Sequence, residues 1–401
     1  MNPDLLLFAG KKNRSKHLSV LKAVFDHPGI SRSALCGETR ISKNHITLLV
    51  KELLQSGVLE EHETSPTAGS GRPAIGLTVF PKLFFTLGIN LSAEHSEVIL
   101  LDASCQVVEK MPLLQQGKRP ALLLELRQKC SYFLRQYSPE KILCAGIAVP
   151  GIADCSNGII KYSSAFGAGE QVELKKFFKE ELDLDITLIN TSHILPIMEK
   201  LYGSARKLDT FVTIDEGLGC GMYLQGRLYR GWQNACGEIG HMKIQDTSVV
   251  NSDGRTGVLM DMSLFNLVGE RALALIRQGE KINLEWTGKP NEYIKPNAIV
   301  RAVENQDCFI KQQLTEIFSY LGDAVVNVAY LLNPEVIYLP EWTSKVPECT
   351  VDVVRKKLHN YGLPEWGLQT KVLSMQCSRK RMAEAVAVFA TEKFLKKNAQ
   401  L

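Results

Sequence analysis

The chain has 401 residues, too long for one ordinary hydrophobic core, so two or three domains are expected. Hydrophobic residues make up 45% and charged residues 22%, the usual balance of a globular protein. The net charge of +4 is too small to argue for nucleic-acid binding by itself. Residues 1–80, however, hold ten Lys/Arg and four His against seven Asp/Glu, which makes this segment locally basic.

The ten cysteines are spread singly, without a CxxC pair, so they favour buried, reduced thiols over disulfides or a zinc site. No apolar run approaches the roughly 18 residues of a membrane span. Near the N-terminus a basic cluster follows the apolar stretch, the reverse of the order in a signal peptide. We therefore expect a soluble, cytoplasmic protein.

Residues 15–63 have the pattern of three helices joined by short turns. Apolar residues recur at helical spacing from Leu18 to Phe25, and a Pro-Gly pair ends that helix. Ser31 and Ser42 are placed to cap a second and a third helix. The third helix has an apolar stripe formed by Ile46, Leu49, Val50 and Leu53.

A helix, a tight turn and a second helix with a polar start indicate a helix-turn-helix. The side chains expected to reach base edges and phosphates in a major groove are Ser42, Lys43, Asn44, His45 and Thr47. Strands at 58–61 and 75–80 around a tip at 64–71 would complete a β-wing. Winged helices also serve as dimerisation or peptide-binding modules, and this segment alone leaves that alternative open.

From about Leu83 the chain alternates between strands and helices, which is typical of an α/β fold. Buried strands are expected at 84–89, 98–101 and 144–149, and helices at 122–133 and 308–332. The sequence shows no internal repeat.

Residues 217–241 are the most informative stretch. Gly217, Gly219 and Gly221 alternate with other residues, and Glu238 and His241 close the stretch as a Glu-x-Gly-His motif. This stretch resembles the central signature of the ROK family of sugar kinases and sugar-responsive repressors, in which a phosphate loop precedes a sugar-binding motif. The resemblance runs over 83–395. The preceding segment, with GSGRPAIGL at 69–77, resembles the DNA-binding domain of ROK-type repressors.

The resemblance implies an α/β protein with two domains. Residues 1–81 would form a winged helix-turn-helix with its linker, and residues 82–401 a two-lobed, actin-like (ribonuclease H-like) sugar-kinase domain with a cleft between the lobes. In ROK-type repressors an arginine near the Gly-Arg-Pro element approaches the minor groove, and Arg72 holds the matching position. An arginine there reads groove shape and A·T content rather than a full base code.

The positions that match the family's sugar ligands are Pro150, Gly151, Asn190, Glu238 and His241. Carboxylate, amide and imidazole groups hydrogen-bond vicinal hydroxyls, so the set suits a polyol. Two further family ligands are lost at Thr191 and Met260, so the effector need not be a simple hexose, and a vestigial site stays possible. Taken alone, Glu238 and His241 also fit a buried polar pair that holds two lobes together.

The parts that phosphoryl transfer needs are altered. The family's D-x-G-G-T loop has become Asn90-Leu-Ser-Ala-Glu, and Asp215 and Glu216 add negative charge to the second phosphate loop. The general base after Asn190 is replaced by Thr191. A positioned base contributes about 10²–10⁴-fold to the rate, so we predict no catalytic residues and no enzyme activity.

Two further family motifs are lost. The Gly-Gly-Gly adenosine loop has become Pro340-Glu341-Trp342. The zinc motif C-x-C-G-x-x-G-C-x-E corresponds to residues 251–260, which keep two glycines and no cysteine. A structural zinc normally takes four nitrogen or sulfur ligands, so we predict no metal and no cofactor.

These patterns predict a sequence-specific DNA-binding transcriptional regulator. It would be a repressor of carbohydrate genes whose pseudokinase domain senses a sugar, a sugar derivative or a sugar phosphate. Its partners would be a double-stranded DNA operator and further copies of itself, as a homodimer or higher homo-oligomer, without a membrane. Two alternatives stay open: a sugar kinase with a DNA-binding appendage, and a regulator controlled by a protein partner.

Overall fold

The computed structural model describes residues 14–63, 75–92, 95–115, 117–167, 171–246, 254–263, 266–285, 295–361 and 369–399. The chain forms two compact units. The first comprises Met1–Thr191 with Arg379–Leu401, and the second Ser192–Ser378. The first unit thus holds the winged-helix segment together with part of the kinase-like body, and the predicted division at residues 81 and 82 stays a prediction. Within the described ranges, no helix is both long and apolar enough to cross a membrane.

The N-terminal segment forms three helices and a hairpin, as the sequence predicts. They are α1 (Arg14–Asp26), α2 (Arg32–Thr39), α3 (Lys43–Gln55), β1 (Leu59–Glu63) and β2 (Ile75–Val79). Ser31 caps α2 by accepting a hydrogen bond from the Ala34 amide at 3.2 Å. Arg40 then adopts φ 56°, a left-handed conformation that ends α2 and turns the chain towards α3. β1 and β2 pair antiparallel as the predicted wing.

The remainder of the first unit before residue 191 is built on a five-stranded mixed sheet, beside which three short strands form a small antiparallel sheet. Its elements are β3 (Phe85–Asn90), β4 (Glu97–Asp102), β5 (Val107–Pro112), α4 (Arg119–Gln136), β6 (Ile142–Val149), β7 (Ile152–Asp154), β8 (Ile159–Tyr162), β9 (Val172–Glu173), α5 (Leu174–Leu182) and β10 (Ile186–Asn190). The sheet order is β10-β6-β3-β4-β5, with β3 parallel to β6 and antiparallel to β4. Its core contains Leu87, Ile147 and Phe133, all fully buried.

The second unit repeats this strand order around a separate core. Its elements are α6 (Thr191–Tyr202), β11 (Phe211–Ile214), β12 (Cys220–Leu224), β13 (Arg227–Tyr229), α7 (Met260–Ser263), α8 (Asn266–Arg277), α9 (Pro296–Glu304), α10 (Cys308–Leu332), β14 (Val336–Leu339), α11 (Val351–Tyr361) and β15 (Lys371–Ser374). The sheet order is β13-β12-β11-β14-β15, which matches the first sheet when it is read from the opposite edge. In each sheet the strand that comes first in the chain is central, with an antiparallel pair on one side and two parallel strands on the other. α10 has the predicted bounds because Asp307 caps its start and Asn333, at φ 43°, ends it.

The chain returns to the first unit as α12 (Met382–Ala399), which packs on β3, β6 and α1. Two strand glycines let the helix backbone approach this closely. A Cβ on Gly88 would lie 2.1 Å from the Ala383 carbonyl oxygen, and one on Gly146 would lie 2.1 Å from that of Val386. α12 therefore lies between the sheet and the first helix of the winged helix.

Candidate functional site

α3 separates a buried apolar face from an exposed polar start. Ile46, Leu49, Val50 and Leu53 are at most 2% exposed, as their spacing predicts. The predicted DNA-contacting residues are all exposed, namely Ser42, Lys43, Asn44, His45 and Thr47. The buried stripe faces inward, whereas these five polar side chains surround the exposed first turn of the helix.

One side-chain contact joins α3 to α1, and another joins the wing to α2. His17 of α1 is 1% exposed and lies 2.7 Å from the Glu52 carboxylate of α3. Arg32 of α2 forms an ion pair at 2.7 Å with Glu61 of the wing. α3 is thus held against α1, and the wing is held against α2, which leaves the start of α3 accessible.

Leu48 is a candidate contact that the sequence interpretation missed. It is 49% exposed although it is apolar, and it lies one helical turn after Asn44. Apolar side chains in this position contact the methyl group of thymine. Leu48 could have been identified in the sequence, because it is an apolar residue that lies outside the apolar stripe of α3.

Arg72 and the Gly-Arg-Pro element lie outside the described residues, so the minor-groove contact stays a prediction.

Three of the five predicted sugar ligands come together in the first unit. Pro150 and Gly151 directly follow β6, and Asn190 ends the parallel neighbour β10. Since parallel strands end at the same edge of a sheet, the Asn190 Nδ2 donates to the Gly151 carbonyl at 2.7 Å. Gly151 adopts φ 98°, and a Cβ there would lie 2.4 Å from the Tyr162 carbonyl oxygen, so the turn requires glycine.

The other two predicted ligands belong to the second unit. Glu238 precedes a short 3-10 helix, Ile239–His241, and the His241 amide donates to the Glu238 carbonyl at 3.1 Å. Glu238 stands at the N-cap of this turn, three residues before His241. Both residues are exposed. They are therefore not buried within the second unit, and the alternative interpretation as a polar pair that holds two lobes together stays open.

His193 of α6 positions the segment that carries Glu238. Its Nε2 lies 2.9 Å from the Cys236 carbonyl oxygen, and burial lowers the pKa of this histidine. A neutral imidazole that donates from Nε2 fits this contact. The sequence interpretation did not identify His193. The one indication in the sequence is its position three residues after the predicted ligand Asn190.

The first altered phosphate loop uses its asparagine to close its own turn. The Asn90 Nδ2 donates to the His95 carbonyl at 2.7 Å, and its Oδ1 accepts from the Ser92 amide at 3.0 Å. Ala93 and Glu94 lie outside the described residues. Both polar atoms of the Asn90 side chain therefore form hydrogen bonds within the loop.

The second altered loop folds around the carboxylate of Asp215. Its Oδ1 accepts from the Gly217 amide at 2.8 Å and the Gly219 amide at 2.9 Å. Its Oδ2 accepts from the Ser192 hydroxyl at 2.5 Å. Asp215 is 8% exposed. The carboxylate that the sequence predicts to oppose a nucleotide thus accepts hydrogen bonds from groups of its own unit.

The position of the adenosine loop is occupied by buried side chains. Pro340 leads into a 3-10 helix, Glu341–Lys345, in which Trp342 is 7% exposed. The Trp342 ring packs edge-to-face on Phe318 at a centroid distance of 5.8 Å. This segment thus belongs to the core of the second unit.

The segment that corresponds to the family's zinc motif does not fit a zinc ion. Residues 251–253 lie outside the described part. Val258, which replaces a cysteine, is 3% exposed, and the Ile244 amide donates to the Gly257 carbonyl at 2.9 Å. An apolar side chain cannot bind zinc. Among the residues described, no three His, Cys, Asp or Glu side chains are grouped for a metal.

These features define a class of protein: a winged helix joined to an α/β body with two sheets of the same strand order. The ROK family model matches residues 86–379, well over half of the chain. The chain belongs to the ROK family.

Two characterised relatives cover most of the chain. It is 26% identical over 355 residues to the xylose repressor of Caldicellulosiruptor bescii, across 85% of this chain and 86% of the repressor. It is 24% identical over 365 residues to the DNA-binding transcriptional repressor Mlc of Escherichia coli strain K12, across 90% and 89%. Both relatives are repressors.

Two solved structures share the fold. A ROK family transcriptional regulator, a homolog of E. coli Mlc, aligns with a TM-score of 0.76 at 20% identity, over 96% of this chain and 98% of that chain. A ROK glucokinase from Streptomyces griseus, in complex with glucose and AMPPNP, aligns with a TM-score of 0.62 at 16% identity, over 77% and 99%. The regulator match extends over nearly the whole chain, whereas the kinase match does not.

Proposed function

We propose that this protein is a sequence-specific DNA-binding transcriptional regulator, a repressor of carbohydrate genes. We also propose that its kinase-like units bind a sugar or sugar derivative without phosphorylating it. The exposed polar start of α3 carries the proposal, because it presents five polar side chains in a segment that also pairs β1 with β2 as a hairpin. The repressor relatives support it.

Operator binding is tested by fluorescence anisotropy with fragments from the protein's own genomic neighbourhood, at moderate salt. Asn44→Ala should weaken specific binding by about 5–160-fold, the effect of a lost base contact of about 1–3 kcal/mol. Lys43→Ala should also reduce the salt slope by about one. The matched control is Lys51→Ala, since Lys51 is exposed on the same helix away from its start.

Two results would contradict DNA binding through α3. One is the failure of every fragment to bind. The other is an equal loss in the Lys51 and Lys43 variants, which would indicate only a diffuse charge effect. In either case the winged helix would be better explained as a dimerisation or peptide-binding module.

We propose that Pro150, Gly151, Asn190, Glu238 and His241 bind the effector. The Asn190–Gly151 contact and the exposed turn that carries Glu238 and His241 supply amide, carbonyl, carboxylate and imidazole groups that suit vicinal hydroxyls. A ligand changes operator affinity only if it binds two conformations of the protein unequally.

A thermal-shift screen against sugars, amino sugars, polyols and their phosphates, with and without ATP, tests the effector site. A ligand of the native state raises the melting temperature. Glu238→Gln and His241→Ala should abolish the shift, whereas Glu280→Gln, at an exposed position, should retain it. If no compound shifts the melting temperature, control by a protein partner or a vestigial site becomes the better explanation.

We further propose that the protein does not transfer phosphoryl groups. Thr191 stands where the base is needed, and the Asp215 carboxylate and the packed Trp342 occupy positions that nucleotide binding requires. A coupled assay of ADP release should therefore show no sugar-dependent turnover, and Thr191→Asp alone should not create it. Turnover that Glu238→Gln abolishes would instead support a sugar kinase with a DNA-binding appendage.

We also propose a homodimer or higher homo-oligomer, because helix-turn-helix regulators read two half-sites through two-fold symmetry. Sedimentation equilibrium of the full chain tests this. A monomer at micromolar concentration, both with and without operator, would contradict it.

A further inference from the structure

The loop at residues 215–219 contains main-chain amides of the type that bind phosphate elsewhere. Successive amides in a glycine-rich turn converge to form a concave anion-binding site. Here the amides of Gly217 and Gly219 both donate to one oxygen, Asp215 Oδ1, at 2.8 and 2.9 Å. An anionic oxygen thus occupies the point where the two amides meet.

The packing around this carboxylate leaves little room for a second anion. A Cβ on Gly217 would lie 3.3 Å from Asp215 Oδ1, and one on Gly219 would lie 2.0 Å from the Ser192 hydroxyl and 3.1 Å from Asp215 Oδ2. The Ser192 hydroxyl donates to Oδ2. The carboxylate is therefore hydrogen-bonded through both oxygens by groups of its own unit.

The turn is further closed by its own backbone. The Asp215 amide donates to the Gly219 carbonyl at 3.0 Å, and the Leu218 amide donates to the Asp215 carbonyl at 3.1 Å. Leu218 takes φ 60°, which a non-glycine residue adopts only when its surroundings hold it there. The carboxylate is tethered to this turn by a single Cβ, so it competes with any dissolved anion at a high effective concentration.

We propose that Asp215 is a built-in substitute for a phosphate group, and that its removal opens a latent site for inorganic phosphate or a polyphosphate at the Gly217 and Gly219 amides. The loop thereby keeps its anion-bound conformation without a nucleotide. If the sensor function proposed above is correct, the response to the effector needs no ATP. The anion site itself does not depend on DNA binding or on the effector.

The test uses the full chain with Asp215→Gly, which removes the carboxylate and leaves the Gly217 and Gly219 amides in place. In an anion-poor buffer this variant should melt below the wild type. Inorganic phosphate or tripolyphosphate should raise its melting temperature, by roughly 3–6 °C at about ten times the dissociation constant. The wild type should not respond. The additional change Glu216→Thr should strengthen the response, since it removes a second negative charge from the loop.

Two control variants separate the carboxylate's position from its charge. Glu216→Gln removes one charge from the same loop without releasing the two amides, so it should not gain a phosphate response. Asp215→Asn retains an oxygen that can accept from both amides, so it should stay near the wild type. A phosphate response in either control, equal to that of Asp215→Gly, would overturn the proposal.

Amide hydrogen exchange in the wild type keeps the proposal testable if Asp215→Gly fails to fold. The Gly217 and Gly219 amides should be protected, and the addition of phosphate should not change their exchange. Rapid exchange of both amides, or a folded Asp215→Gly variant that ignores phosphate and tripolyphosphate, would show that the carboxylate does not occupy an anion site. A lack of operator binding would leave these readouts unchanged.

Discussion

The substitution Glu199→Ala removes a fully buried carboxylate of α6 that joins three segments of the second unit. Glu199 accepts hydrogen bonds from the amides of Ser204 at 2.8 Å and of Gln376 and Cys377 at 3.2 Å each. The chain passes between the two units after Thr191, the first residue of α6, and after residue 378. This carboxylate therefore binds α6 to the residues that directly precede the second passage.

The expected loss follows from the three amides that the alanine variant leaves without their acceptor. Each buried amide that loses its partner costs about 1–3 kcal/mol, and a broken buried network typically costs about 3–5 kcal/mol in total. For a unit of this size, about 2–4 °C is lost per kcal/mol, so the melting temperature should fall by roughly 6–20 °C. Water that enters the vacated space would move the result towards the lower end.

Thermal unfolding of the full chain, followed by calorimetry, measures this loss. The matched control is Glu180→Ala, since Glu180 is exposed on α5 and the change should cost less than about 0.5 kcal/mol. Glu199→Gln keeps one acceptor oxygen and should lie between the wild type and Glu199→Ala. The reasoning would be refuted if Glu199→Ala melted within about 2 °C of the wild type, which corresponds to a loss of less than about 1 kcal/mol.

Three further predictions follow from other buried groups. Burial, and to a lesser degree the charge of Asp26, raises the pKa of Glu392 from 4.5 to about 7. The protonated Glu392 side chain therefore stabilises the fold fully below pH 4.5, and this contribution is lost as the pH rises through 7. Glu392→Gln should flatten the decline of the melting temperature between pH 4.5 and pH 7. Burial raises the pKa of the Cys130 thiol to about 12, so an alkylating reagent should modify exposed Cys308 in the native protein and Cys130 only after unfolding, as mass spectrometry would show. Gly146→Val should destabilise the chain by more than about 2 kcal/mol in urea, because its Cβ would meet the backbone of α12, and a change below 1 kcal/mol would contradict that contact.

Local signals in the sequence sufficed for the winged helix and for α10. The capping serine of α2 and the apolar stripe of α3 are signals that act within a few residues, and the structure confirms both. Ser42 also precedes α3 as predicted, but its side chain makes no capping hydrogen bond and lies 3.3 Å from His45 Nδ1 instead. The repeated strand order was not visible, because strand pairing depends on patterns of burial rather than on matching residues. The sequence accordingly showed no repeat where the fold has one.

The candidate site shows where sequence reasoning ends. The negative charge at Asp215 was predicted to oppose a nucleotide, but the direction of its side chain depends on the local turn, so the hydrogen bonds to Gly217 and Gly219 could not be foreseen. The packing of α12 was missed for a similar reason. Gly88 and Gly146, which interrupt buried strands, were the available signal, since such glycines mark a close backbone approach.

The position of α12 gives the proposed regulator a physical route from effector to operator inside the first unit. β6, which leads into Pro150 and Gly151, packs on α12, and α12 packs along α1. α1 is tied to α12 by the Ser15 hydroxyl, which donates to the Ala399 carbonyl at 2.6 Å, and to α3 by the contact between His17 and Glu52. Packed elements of the first unit therefore connect the end of β6 to α3. Contiguous packing permits such coupling, but it does not measure it. Its size is the ratio of operator affinities with and without the effector, and by linkage the operator must change effector affinity by the same factor.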